Sequence, residues 1–217
     1  MNYRFNSEVS ITSNDNVILQ GLLTIPEKAP AIIIFSHGSG SSRFSKRNRL
    51  VAEYLNGKNF GTLLFDLLTT EEDKFYDYRF NIELLTKRLA SATGWLEKFP
   101  SAKDCRIGYF GASTGAASAL AAAANLPQIG AVVSRGGRPD LAMDNLLRVE
   151  APVLLIVGSL DTEVLELNKD AYRKLHCEKK LEVVDGATHL FEEPGTMDKV
   201  SKLAAAWFQK YLQPVKV

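Results

Sequence analysis

Cysteine is nearly absent from this chain. Cys105 stands where a strand should begin and Cys177 beside a charged run, so the two outline neither a disulfide framework nor a metal cluster. Histidine is almost as scarce, at three residues, which leaves few candidates for proton transfer. There is no surplus of either charge. Lys and Arg number 26 and Asp and Glu 25, for a net charge of +1, so nothing points to nucleic acid or an acidic membrane as partner. The first residues, Met1 to Asn6, contain no apolar stretch of the kind a signal peptide needs, and no apolar run is long enough to span a bilayer. The expectation is a soluble, cytoplasmic protein. Repeats, low-complexity tracts and linkers are also missing, so residues 1–217 read as one domain.

What remains is an ordered alternation. Residues 3–12 and 17–25 are strand-like and are separated by Asn14-Asp15-Asn16, which is turn chemistry, so they predict an antiparallel hairpin. Ala31 to Phe35 is a continuous apolar run, as expected for a strand covered on both faces. Residues 46–58 then carry helical spacing, 62–65 a strand, and Ile82 to Phe99 a long amphipathic helix stopped by Pro100. Further strands are expected at 105–110, 129–134, 153–157 and 181–184. Helices are expected at 116–124, 140–148, 163–175 and 196–212. Strands alternating with helices after a hairpin predict an α/β fold, a mostly parallel sheet with helices on both faces. No insertion is long enough for a cap domain.

The stretch Gly111-Ala112-Ser113-Thr114-Gly115 lies between an expected strand and an alanine-rich helix. Strand, G-x-S-x-G and helix together form the setting of a nucleophile elbow, a sharp turn that lifts the serine oxygen over the sheet edge. A serine hydroxyl needs a base, and the base an orienting acid. His189 follows the last strand and is the candidate base. His176 lies among Lys174, Glu178 and Lys179 and reads as a solvated surface residue. Asp161 follows a buried strand and is the candidate acid. Its rival Asp140 follows Pro139, where it reads more simply as a helix cap. The oxyanion donors are expected to be the backbone N–H groups of Thr114, directly after the nucleophile, and of Ser39 in the Gly38-Ser39-Gly40 loop. His37 is expected to buttress that loop. The loop lacks the third glycine of a dinucleotide fingerprint, and no Gly-Lys-Ser/Thr follows it, so nucleotide binding is not indicated.

From His37-Gly38 through Gly111–Gly115 and Asp161 to His189, the chain resembles the α/β-hydrolase superfamily and its small dienelactone-hydrolase-like group. The resemblance implies an eight-stranded sheet, a serine-hydrolase mechanism, and neither metal nor organic cofactor. One departure stands out: dienelactone hydrolase uses a cysteine where this chain has Ser113. That favours a general carboxylesterase acting on a small-molecule ester. An acyl-thioesterase or lactonase is the neighbouring alternative, and a catalytically silent binding protein is the alternative of another class. Oligomeric state is not legible.

Two segments invite a substrate-binding role. Phe75 and Tyr76, with Tyr78 and Phe80, lie in a loop expected over 67–79, where they could wall an acyl pocket, form a small lid, or merely cover the core. Arg135 and Arg138 flank Gly136-Gly137 after an expected strand. Arg135, nearer the strand end, offers a fork that matches a carboxylate or phosphate. The alternative is a surface arginine paired with Asp140 or Asp144.

Overall fold

The computed structural model describes residues 2–213. Eight strands form one sheet: β1 (Tyr3–Thr12), β2 (Ile18–Pro26), β3 (Ala31–Ser36), β4 (Gly61–Phe65), β5 (Arg106–Ala112), β6 (Ile129–Arg135), β7 (Val153–Gly158) and β8 (Lys179–Val184). Their order is β1-β2-β4-β3-β5-β6-β7-β8. β1 and β2 form the expected hairpin, and β2 runs antiparallel to β4. From β4 to β8 every pairing is parallel. This is the α/β-hydrolase architecture, without a cap domain among the described residues.

The continuous apolar strands are explained by cover on both faces. In β3, Ile32 and Ile34 pack into one layer with Leu89, Leu120 and Ala171. These come from α3 (Ile82–Glu97), α4 (Thr114–Ala123) and α5 (Thr162–Lys174). Ile33 and Phe35 face the other layer with Val51, Leu55, Phe208 and Leu212, from α1 (Lys46–Gly57) and α6 (Thr196–Leu212). The period-2 alternation of a strand thus serves two cores.

The parallel strands end in register. Ser36 pairs with Gly111, Ala112 with Arg135, Arg135 with Ile156, and Gly158 with Val184. The loops that follow therefore share one sheet edge. The chain reverses its direction of strand addition between β3 and β5, where connections diverge and leave a crevice. The His37-Gly38 loop and Ser113 leave the sheet at that point.

Two segments differ from the sequence expectation. Residues 67–79 are not simply a loop: Glu72–Lys74 form a 3₁₀ turn, and α2 (Tyr76–Phe80) is a short helix. Long-range charge fixes this segment. Arg88, buried on α3, binds Glu72 at 2.8 Å and also Asp15 of the β1–β2 turn. Second, Pro139–Arg148 forms 3₁₀ turns broken at Ala142 (φ −128°), not one α-helix. No helix among the described residues is long and apolar enough to cross a membrane.

Candidate active site

Ser113 has φ 52° and ψ −123°, a conformation that L-residues avoid. Backbone hydrogen bonds hold it there: its N–H donates to Arg135 O, and its own carbonyl accepts from Ala116 and Arg138 N–H at 3.0 and 3.1 Å. The neighbouring glycine makes the turn possible. A Cβ at Gly115 would lie 2.1 Å from Ser36 O and 2.5 Å from His37 O, so α4 begins directly against the end of β3. The strained serine is therefore over-determined by its surroundings, as an elbow requires.

The candidate base and acid come from the last two strand ends. Asp161 starts α5, yet its carboxylate does not cap that helix. Instead, Oδ2 lies 2.6 Å from His189 Nδ1. A carboxylate only accepts, so Nδ1–H donates, the arrangement that in a neutral ring leaves the lone pair on Nε2. Leu160 N–H donates to Ala187 O and ties the two loops together. Ser113 and His189 both line a cavity of about 240 Å³. Among the described residues, no hydrogen bond joins Ser113 Oγ to His189, a common state of such pairs without substrate. The rival acid is occupied: Arg138 grips Asp140 with two hydrogen bonds of 2.8 Å.

His37 behaves as a buttress. Leu67 N–H donates to its Nε2, and its Nδ1 lies 3.0 Å from Gly38 O. The proton must then sit on Nδ1, leaving the ring neutral. Burial pushes its pKa down from the usual 6.5, opposed by the Gly38 carbonyl, Asp66 and Asp73. Native His37 therefore binds a proton more weakly than the unfolded chain does. The contribution of His37 to stability is fully present above 6.5 and is lost as pH falls from there towards its lower native value, because the unfolded state protonates first. A melting series from about pH 7 to about pH 5 is expected to fall more steeply for the native chain than for His37→Gln. Parallel slopes would remove His37 from this role.

Ser39 requires a correction. Its N–H is not free for an oxyanion, because it donates to Thr114 Oγ1 at 2.9 Å. The close contact of the loop with the start of α4 brings that hydroxyl nearest. The N–H of Thr114 itself, at the head of α4, has no acceptor among the backbone bonds of the described residues.

Phe75 and Tyr76 are 60% and 69% exposed and belong neither to the lining of the Ser113 cavity nor to the core, which corrects the pocket-wall and core-cover readings and leaves the small lid. Their rings meet Tyr78 and Phe80 instead. Arg135, by contrast, is no surface residue. It is 4% exposed and lines the cavity, and Arg138 makes the ion pair with Asp140 that was the alternative for it. Gly136, with φ 51°, turns the chain between the two arginines and lies against His189. Burial, with Arg47 second, lowers the pKa of Arg135 to about 10, so it remains charged at neutral pH. Arg47 and Asn48 of α1 also line the cavity and were not singled out from the sequence. The readable signal was a helix start rich in cations and without an acid.

Comparison with known proteins places the chain in a family. The sequence model of the dienelactone hydrolase family matches residues 19–215. The crystal structure of a dienelactone hydrolase from Anabaena variabilis is 49% identical, with a TM-score of 0.92, covering 96% of this chain and 99% of that one. A Pyrococcus furiosus esterase has a TM-score of 0.78 at 21% identity, over 96% of this chain and 93% of that one, a likeness of fold alone. A putative phosphoribosyl transferase of Mycobacterium tuberculosis is 55% identical over 209 residues, 95% of this chain but 47% of the relative. The chain thus spans about half the length of the curated relatives it matches.

Proposed function

This chain belongs to the dienelactone hydrolase family, and from that membership we propose that it is a serine hydrolase of small carboxylic esters. The observation that carries the reading is the strained Ser113 sharing one cavity with a His189 whose Nδ1 is held 2.6 Å from Asp161. Ser113 Oγ attacks the ester carbonyl while His189 Nε2 takes its proton. Asp161 keeps the imidazole in the required tautomer and stabilises the imidazolium. The tetrahedral oxyanion is met by Thr114 N–H at the positive end of α4. Ser39 N–H can join it only by leaving or sharing Thr114 Oγ1. His189 then protonates the leaving alcohol, and water hydrolyses the acyl-enzyme by the same route in reverse.

A lactone is an internal ester and would be opened by the same steps. The 49% identical dienelactone hydrolase favours that second reading. The Mycobacterium relative's name describes a chain of which this one spans 47%, and no transferase activity is proposed from it.

A fluorophosphonate probe tests the reading against a silent hydrolase fold. Wild type is expected to be labelled and Ser113→Ala not. A folded wild type that resists the probe would sink the proposal. A panel of ester, thioester and lactone substrates then ranks the alternatives.

A further inference from the structure

Arg135 is a buried charge without a counter-charge. Among the described residues no carboxylate pairs with it, since Asp140 is held by Arg138 and Glu192 by Arg47. Among the described residues its Nε has no hydrogen-bond partner, Nη2 reaches Asn48 Oδ1 only at 3.5 Å, and the guanidinium carbon lies 5.8 Å from the centre of the Phe191 ring. An unpaired buried guanidinium is costly. Arg47, close enough to depress Arg135's affinity for its proton, adds like-charge repulsion. Arg47 Nε is likewise buried and without a partner. Its one ion pair among the described residues runs through Nη1 to the largely exposed Glu192.

The helix that carries Arg47 sharpens the problem. α1 begins with Ser45 as its cap and has no acid in its first turn, which instead carries Lys46 and Arg47. Cations at a helix N-terminus oppose the macrodipole, whereas an anion there satisfies it. Asn48, also in that turn, is buried and turns its Oδ1 towards Arg135 Nη2. These groups converge on the cavity that holds Ser113 and His189.

We propose that this corner of the cavity is a seat for a phosphoryl group carried by the ester substrate, held by Arg135, Arg47, Asn48 and the first turn of α1. A carboxylate brings two oxygens and one charge. A phosphate monoester brings three terminal oxygens and nearly two charges, which suits two guanidinium forks, an amide and a helix terminus. The word substrate rests on the hydrolase reading above; the anion seat does not.

Thermal melting with inorganic phosphate tests the seat without catalysis. For wild type, phosphate at one hundred times its Kd is expected to raise Tm by about 5–10 °C beyond sodium chloride of equal ionic strength. Arg135→Met should abolish that rise while leaving the phosphate-free Tm equal or higher, because an uncompensated buried charge is gone. Should that variant fail to fold, Arg47→Met is expected to weaken phosphate binding about tenfold. Arg138→Met, whose partner is Asp140, should keep the rise. Ser113→Ala should keep it too. A retained rise with no probe labelling of wild type would therefore defeat the hydrolase reading alone. The seat is overturned if wild type gains nothing beyond the chloride control, or if Arg135→Met keeps the full rise. It is overturned as a phosphate seat if malonate or acetate stabilises as strongly as phosphate.

Discussion

Ser113→Ala and His189→Ala are each expected to lower kcat for ester hydrolysis by about three or more powers of ten, and the double variant hardly further. The non-additivity is the informative part. Ser113 without a base is an ordinary alcohol, and His189 without a nucleophile has no proton to move, so losing either leaves the same residual activity. Asp161→Asn tests the third member. The 2.6 Å contact to His189 Nδ1 requires an acceptor at Oδ2. An asparagine amide can donate there and trap the opposite tautomer, with Nε2 protonated and useless as a base. A loss of orders of magnitude is therefore expected. Asp140→Asn is the comparison, because it only loosens the partly exposed pair with Arg138. Should Asp140→Asn be the more damaging of the two, the acid has been misassigned.

The largest loss of stability is expected at Gly115. An alanine Cβ there would stand 2.1 Å from Ser36 O and 2.5 Å from His37 O, both backbone atoms at the end of β3. Neither can swing aside as a side chain would, so α4 must lift off the sheet or the loop must move. Overpacking of this kind costs about 3 kcal/mol or more, which for a chain of this size lowers Tm by roughly 6–12 °C. Gly94→Ala in α3 is the control. Nothing lies within 4 Å of its added Cβ, and a helical alanine gains about 0.5–1 kcal/mol over glycine. The two Gly→Ala changes should shift Tm in opposite directions. A Gly115→Ala protein as stable as the native chain would show that the close approach of α4 to β3 is not what holds the elbow.

Much of the fold was written locally. The strand periods, the turn residues after β1 and the alternation of strand and helix are short-range properties. They led to the parallel sheet and to the edge on which its loops gather. G-x-S-x-G declared the elbow for the same reason, since a strained turn needs glycine beside it whatever the rest of the chain does. The preference for Asp161 over Asp140 also came from local features: one follows a buried strand, the other a proline. The 67–79 segment was misjudged because its aromatic content says nothing about where it lies. Its place is set by Arg88 reaching both Glu72 and Asp15, residues remote in sequence.

The sequence by itself determined the sheet, the elbow turn and the strand ends that Asp161 and His189 follow, because periodicity and turn chemistry act over a few neighbouring residues. Tertiary structure decided the rest of the site. It buried Arg135 beside Ser113 and sent Arg138, three residues on, to Asp140. It brought the first turn of α1 to a cavity otherwise built from strand ends. It turned the Ser39 amide towards Thr114 Oγ1. Each of these depends on the direction of a side chain or amide relative to segments tens of residues away, and only the packed sheet fixes such directions.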